Sequence, residues 1–336
     1  MPETRRPMRD APRVAPSGTT RPDARCGTIV GVTPRLPSLL AAAVDEARAE
    51  PAGRVTQVYP ALAAVDPALL AAAVHAGDAA PVAAGHADAR FILMSVAKPF
   101  VLAVAVDAVG AARVRSLTGM RATGLPFNDP AAITAAPDGR TNPMVNPGAI
   151  TVSSLLGDGD VRAGEAAIRD GLSAFAGRAL AADAPMVDAI HATNQRNRLL
   201  AGLLDERGLL GCDLEDALRL YTYQSCLGIT VADLARMGAV LAHGGVDPVE
   251  GTRVVGAEAA AVAVEAMALA GMYEATDAWM GAVGLPTKSG IAGGLVAVAP
   301  GVGAITAYSP GLDAAGNPVR AQAVARTMTP VLAALG

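Results

Sequence analysis

The order of the predicted elements is the feature of this 336-residue chain that most restricts its fold. Runs of small and β-branched residues near both ends predict strands, at 70–75, 81–84, 295–299 and 303–308. Between them, from about 142 to 267, the apolar residues recur mostly at helical spacing. This order predicts an α/β fold in which an antiparallel sheet is built from both ends of the chain and a helical lobe is inserted between them.

The chain is expected to form one domain after a short arm. The first residues, 1–33, are polar and proline-rich and are predicted to be a disordered arm. Residues 34–336 are predicted to be a single catalytic domain, with a sheet lobe at 34–125 and 268–336 and a helical lobe at 126–267. Helices are predicted at 36–49, 162–176, 194–207, 214–223, 231–243 and 321–335, and a rigid loop is predicted at 142–150.

Composition and charge narrow the class of partner. The chain is 52% hydrophobic and 17% charged with a net charge of −4, which gives no footprint for nucleic acid or an anionic membrane. No apolar run reaches the length of a membrane span. The three cysteines, Cys26, Cys212 and Cys226, show no pairing pattern, which favours a reducing cytoplasm.

A serine three residues before a lysine opens an apolar segment. Ser95 and Lys98 stand at the start of a run with helix-like spacing that continues to about Val109. On a helix the two side chains would share one face, one turn apart. A hydroxyl beside an easily desolvated amine is the arrangement of a serine nucleophile with a lysine base.

Lysine is otherwise almost absent. Of the 27 lysines and arginines, only Lys98 and Lys288 are lysines. Arginine cannot give up its proton in a protein, whereas a buried lysine can. The two lysines therefore indicate places that need a compact or deprotonatable amine, although compositional bias with two leftovers is the alternative.

The second lysine lies in a Lys-Ser-Gly triplet, residues 288–290, directly before a strand-like segment at 291–299. In penicillin-recognising serine enzymes such a triplet on an edge strand cooperates with a Ser-x-x-Lys pair. Lys288 would then keep Lys98 neutral and hold a substrate carboxylate, and the amides of Ser95 and Ile291 would form an oxyanion hole. A phosphate-binding loop is disfavoured because no helix follows the glycines.

With these motifs the chain resembles the serine-dependent glutaminases, which share the fold of the serine β-lactamases. The likeness extends over about 53–317, most of the chain after the arm. Its matching blocks are 95–98, Phe127-Asn128, 142–150, Arg196-Asn197, Tyr221 with Cys226, 241–248, 271–273, 283–294, and 309–313 with Gly316-Asn317.

The resemblance implies a set of site residues. The catalytic group would be Ser95 as nucleophile, Lys98 as its base and Tyr221 as a proton-shuttling phenol. The substrate contacts would be Asn146, Asn197, Tyr273, Lys288 and Ile291, with the asparagines at the amino-acid head and Tyr273 near the leaving ammonia. The alternative for the tyrosines is a core position with one hydrogen bond. For the asparagines it is holding a loop together.

Three positions depart from the family pattern. The family has a tyrosine at the position of Val58 and a glutamine at the position of Met94. At the position of Ile190 it has the glutamate that pairs with the substrate ammonium. Asp188 would replace this glutamate only if its loop shifted. An unpaired ammonium beside these apolar residues would be costly. One expectation is therefore a substrate without a free α-amino group.

The leading function expected from the resemblance is hydrolysis of glutamine to glutamate and ammonia through an acyl-serine intermediate. The alternatives are a related serine amidase or acyl-transfer enzyme acting on a modified amide, and a non-catalytic scaffold. No cofactor is expected, and no metal, because the four histidines are scattered without acidic partners. The expected partner is a small-molecule amide, and the expected assembly is a homodimer or homotetramer.

Overall fold

The computed structural model describes residues 35–157 and 159–336. The predicted arm, 1–33, lies outside the described residues. The strands are β1 (Arg54–Val55), β2 (Ala71–Ala76), β3 (Val82–Gly85), β4 (Phe91–Ile92), β5 (Gly228–Ile229), β6 (Thr287–Ser289), β7 (Gly294–Ala299), β8 (Gly303–Tyr308) and β9 (Gly311–Leu312).

The central sheet has five strands in the order β3-β2-β8-β7-β6, and every neighbouring pair is antiparallel. Strand β8 lies in the middle, where Tyr308 faces Ala71 on one side and Gly294 on the other. Two strands from the beginning of the chain therefore join three strands from its end in one sheet, at the β2-β8 pair. This confirms the predicted antiparallel sheet within an α/β fold.

The helices are α1 (Leu36–Ala47), α2 (Pro60–Ala63), α3 (Lys98–Val109), α4 (Ala111–Leu117), α5 (Ala131–Thr134), α6 (Asn146–Ser154), α7 (Val161–Ala176), α8 (Ala184–Thr193), α9 (Gln195–Asp205), α10 (Leu214–Ser225), α11 (Val231–Ala242), α12 (Ala257–Ala270), α13 (Thr276–Val283) and α14 (Val319–Ala333). Two 3₁₀ turns, Met94–Ala97 and Tyr273–Ala275, complete the elements that matter for the site. The division of 34–336 into two lobes stays a prediction.

The rigid loop predicted at 142–150 is wrong in its second half. Asn146 is the first residue of α6, and Pro147 follows it in the first turn. A proline is tolerated there because the first N–H groups of a helix have no partner within the helix. Gly148 is required by packing, since a Cβ atom there would lie 2.2 Å from the Asn142 carbonyl oxygen.

The sheet is covered on both faces. One face packs on α1 and α14, with Leu40, Val44 and Met328 among the buried side chains. The other face packs on α11, where Gly238 lets the helix approach β8 closely: a Cβ atom there would lie 2.6 Å from the Ala304 Cβ. Behind α11 lies the larger core, which includes most of α3.

Helix α3 is buried around most of its circumference, and it begins at Lys98, directly after a 3₁₀ turn. The 3₁₀ turn Met94–Ala97 leads into it and packs against β6, β7 and α10. The turn that begins α3 therefore places Ser95 at the junction between the sheet edge and the helices. In the described part of the chain no single helix is long and apolar enough to span a membrane; one pair, Met94–Val109 and Ala111–Leu117, passes jointly but is bent by 118°.

Candidate active site

Ser95 opens onto a cavity of about 140 Å³. The residue is half-buried in the Met94–Ala97 turn, and the backbone N–H of Leu93 anchors this turn to the Leu227 carbonyl oxygen at 3.0 Å. Met94 has φ +45°, a conformation that costs a non-glycine residue roughly 1 kcal/mol and that is found most often at functional sites.

The cavity brings together five of the eight sequence-predicted site residues. They are Ser95, Asn146, Asn197, Tyr221 and Ile291. The other lining residues are Val58, Tyr59, Met94, Phe127, Asn128, Ile190, Asn194, Arg196, Thr222 and Ser225. Lys98, Tyr273 and Lys288 are not part of the wall and are buried behind it.

The Lys98 ammonium is held by neutral acceptors. Its Nζ donates to Asn146 Oδ1 at 2.8 Å and to the Met144 carbonyl oxygen at 3.4 Å. The residue is only 3% exposed, and this burial lowers the lysine pKa from its usual value to about 7. A large fraction of Lys98 is therefore neutral at neutral pH and able to accept a proton.

Both polar atoms of the Asn146 side chain are engaged by protein groups. Oδ1 accepts from Lys98, and Nδ2 donates to Asn197 Oδ1 at 2.9 Å. The position of Asn146 is in turn set by its backbone N–H, which donates to the Phe127 carbonyl oxygen at 2.8 Å. Asn197, Asn146 and Lys98 thus form a chain of hydrogen bonds.

Two buried tyrosines flank the serine. The ring centroid of Tyr221 lies 5.9 Å from Lys98 Nζ, and burial with the neighbouring phenols of Tyr59 and Tyr273 raises the Tyr221 pKa well above its usual value. Tyr273 donates from its phenol to the Ser289 carbonyl oxygen at 3.2 Å. Burial raises the Tyr273 pKa to about 12, although Ser95 and Ser289 partly oppose this. Both phenols are therefore protonated at neutral pH.

Lys288 differs from the sequence expectation. Its side chain is fully buried, and Nζ donates to the carbonyl oxygens of Gly271 at 2.9 Å and Ser289 at 2.6 Å while lying 3.9 Å from the centroid of the Tyr273 ring. These contacts do not agree with a direct bond to a substrate carboxylate. Burial lowers the pKa of Lys98, and burial together with the charge of Lys98 lowers the pKa of Lys288 well below its usual value. The Lys288 amine packs against the Tyr273 ring.

Two backbone amides beside the serine are free to bind an oxyanion. The N–H groups of Ser95 and Ile291 carry no partner among residues 35–157 and 159–336. Gly290 brings them together, because a Cβ atom at this position would lie 3.2 Å from Ser95 N. Unpaired backbone amides beside a nucleophile can stabilise the oxyanion of a tetrahedral intermediate.

Comparison with known proteins decides the family. A family model described as Glutaminase matches residues 53–334. This chain belongs to the glutaminase family. Glutaminase 2 of Yersinia pestis is 43% identical over 278 residues, which are 83% of this chain and 82% of the relative. The glutaminase of Brucella suis biovar 1 is 39% identical over 271 residues, which are 81% of this chain and 86% of the relative.

Solved structures of glutaminases share the fold. The structure of the probable glutaminase ybaS superposes with a TM-score of 0.84 at 36% identity and covers 88% of this chain and 97% of the other. The native form of Mglu superposes with a TM-score of 0.83 at 33% identity and covers 88% and 72%. These neighbours confirm the serine β-lactamase-like fold, and the family's reaction is hydrolysis of glutamine to glutamate and ammonia.

In this glutaminase the three apolar departures all line the cavity. Val58 is 63% exposed at its mouth, and Met94 and Ile190 are buried in its wall. Asp188 does not replace the missing carboxylate, because it is exposed and pairs with Arg219 Nη1 at 2.9 Å. No aspartate or glutamate lines the cavity in the part of the chain that the structure describes.

Asn194 and Thr222 were missed by the sequence reasoning. Both line the cavity of this glutaminase, and each has a buried polar atom without a partner in the described chain. The sequence could have indicated Thr222 as a cavity residue, because it directly follows Tyr221. It also lies three residues before Ser225, on the same face of α10. Among the described residues no group of histidines, cysteines, aspartates and glutamates could hold a metal ion.

Proposed function

We propose that glutamine hydrolysis in this chain proceeds through an acyl-Ser95 intermediate with Lys98 as the base. Neutral Lys98 takes the hydroxyl proton as the Ser95 oxygen attacks the side-chain amide carbon of glutamine. The proton then passes to the leaving nitrogen, which departs as ammonia. Water, activated by the same amine, cleaves the ester and releases glutamate, so that the serine and the lysine return to their starting states.

One observation carries this proposal: a lysine buried among neutral acceptors, one turn after the serine. Among the described residues Lys98 has no carboxylate partner, so burial lowers its pKa to about 7 rather than leaving a permanent ammonium. The free amides of Ser95 and Ile291 supply the oxyanion hole in the same proposal. Tyr221 and Tyr273 are assigned to proton transfer and to the leaving ammonia.

Ammonia release and acylation together test the proposal. The purified protein is expected to release ammonia from L-glutamine, and the Ser95→Ala variant is expected to release none above background. Rapid quenching of the unsubstituted protein is expected to show a glutamyl group on the peptide that contains Ser95. Full activity of Ser95→Ala, or a glutamyl group on another residue, would contradict the assignment.

The pH profile tests the role of Lys98 as base. Only the neutral amine accepts a proton, so kcat/KM for glutamine is expected to rise with pH through a midpoint near 7, which is the pKa of Lys98. The Asn146→Asp variant places a carboxylate 2.8 Å from the ammonium, favours its charged form and raises its pKa. The midpoint is expected to move upward by about one unit or more.

Asn128→Asp is the control for this profile. It adds the same charge to the cavity wall, but Asn128 makes no hydrogen bond to Lys98. The midpoint is expected to move less than in Asn146→Asp. Equal shifts in the two variants, or no shift in either, would mean that another group titrates.

Three broader predictions accompany this proposal. We propose a cytoplasmic location, with which the free thiols of Cys212 and Cys226 agree. We also propose a homodimer or homotetramer, and a catalytic domain at 34–336 divided into a sheet lobe and a helical lobe. Light scattering of the purified protein measures the oligomeric state. Limited proteolysis tests the division of the catalytic domain into two lobes.

A further inference from the structure

We infer that Thr222 and Asn194 bind the amino-acid head of glutamine, so that uncharged groups take the place of a carboxylate at this end of the cavity. The inference rests on the proposed function and names contacts within the same site. The hydroxyl oxygen of Thr222 accepts a hydrogen bond from the substrate α-ammonium. The side-chain Nδ2 of Asn194 donates to the substrate α-carboxylate.

The first observation is that both side chains have unmet hydrogen-bonding capacity. Thr222 is 1% exposed, and its Oγ1 has no partner in the described chain; Asn194 Nδ2 is likewise buried and unpaired. Buried polar atoms in folded proteins are nearly always hydrogen-bonded. Since both residues line the small cavity that contains Ser95, a ligand in this cavity is the natural partner for both.

The second observation concerns the charge of the cavity wall. Arg196 is the only charged side chain in the described lining, and its Nε is already bonded to the Asn128 carbonyl oxygen at 3.0 Å. It supplies positive charge for the substrate carboxylate, next to Asn194 in the chain. Nothing in the described lining supplies negative charge for the ammonium, so this group must rely on neutral oxygen atoms.

The position of the two residues fits the head rather than the reacting amide. The amide end is fixed at Ser95 by the free N–H groups of Ser95 and Ile291. Asn194 follows the end of α8, one turn beyond Ile190, and Thr222 lies on α10, which packs against α8. Asn194 and Thr222 therefore come from elements other than the 3₁₀ turn and the glycine-rich segment that carry the amides of Ser95 and Ile291.

Binding to a protein without turnover tests the inference. The Ser95→Ala background removes the chemistry, so dissociation constants can be measured by calorimetry for L-glutamine and for glutaramate, which lacks only the α-amino group. Thr222→Val replaces the hydroxyl by a methyl group of similar size. Its Kd for glutamine is expected to rise by about fivefold to tenfold, the effect of one lost hydrogen bond, while its Kd for glutaramate stays within about twofold.

Asn194→Leu is expected to behave differently, because both ligands carry the carboxylate. Its Kd is expected to rise by about fivefold or more for glutamine and glutaramate alike. Thr141→Val is the matched control: Thr141 is also a buried threonine whose hydroxyl has no partner among the described residues, but it lies outside this cavity. Neither Kd is expected to change in this variant.

Several results would overturn the inference. One is an equal effect of Thr222→Val on both ligands, or none on either; another is an Asn194→Leu variant that binds both as before. Failure of the Ser95→Ala protein to bind glutamine would overturn it as well. Failure of the proposed function is recognised separately, because it is measured as ammonia release by the protein with Ser95 intact.

Discussion

Replacing Lys98 by arginine is expected to lower kcat for glutamine by about a thousandfold, since general-base catalysis contributes roughly 10²- to 10⁴-fold. Arginine keeps the positive charge but cannot release its proton in a protein, so it cannot take the proton of Ser95. The guanidinium is also larger than the ammonium that fits between Asn146 Oδ1 and the Met144 carbonyl oxygen. Some loss of stability is expected in addition.

Lys98→Met separates loss of the base from steric strain. Methionine is of similar length, is uncharged and suits a buried position, so this variant is expected to fold with a melting temperature near that of the unsubstituted protein and to show the same loss of kcat. Ammonia release and thermal unfolding are measured on the same preparations. If Lys98→Met retained more than about a tenth of the activity, another group would have to be the base.

The arrangement of elements could be predicted from sequence because local and global preferences agree. The strand prediction at 303–308 coincides with Gly303–Tyr308, and the helix predicted at 231–243 is observed at Val231–Ala242. Glycines mark one end of each segment, Gly301 before the strand and Gly244-Gly245 after the helix, and the apolar pattern of each segment suits one kind of element only. The antiparallel sheet then followed from the order of the segments along the chain.

The neighbours of individual atoms could not be predicted in the same way. The motif around Lys288 predicted a charge facing the substrate, but the structure shows its amine bonded to two carbonyl oxygens and packed against a tyrosine ring. Likewise, a spacing of 48 residues does not reveal that the Asn146 amide binds Lys98. Such contacts depend on how β6, α3 and α6 pack, which periodicity does not specify.

Unmet hydrogen-bonding capacity is also invisible in a sequence. Thr222 and Asn194 belong to none of the family's matching blocks. Their significance is that each lines the cavity and has a buried polar atom without a partner among the described residues. The apolar residues at 58, 94 and 190 predicted a substrate without an α-amino group. The glutaminase relatives do not favour this alternative, nor the non-catalytic scaffold. An uncharged head-group site reconciles the apolar wall with glutamine as substrate.

The Gly290→Ala variant is expected to lower kcat by between about tenfold and a hundredfold without unfolding the protein. The added Cβ would lie 3.2 Å from three backbone atoms of the 93–96 segment, Leu93 O, Ser95 N and Val96 N. Contacts this short require the backbones to move apart by a few tenths of an ångström. The Ser95 amide is then displaced relative to Ile291, which weakens the proposed oxyanion hole.

Gly281→Ala is the matched control for this substitution. Gly281 lies within α13, and a Cβ atom there would meet nothing within 4 Å. Alanine is favoured over glycine in a helix by up to about 1 kcal/mol, so this variant is expected to be slightly more stable and fully active. Because a misplaced oxyanion hole weakens the transition state more than the bound substrate, Gly290→Ala is expected to change kcat much more than KM. A normal kcat in Gly290→Ala would mean that the free amides of Ser95 and Ile291 do not stabilise the oxyanion.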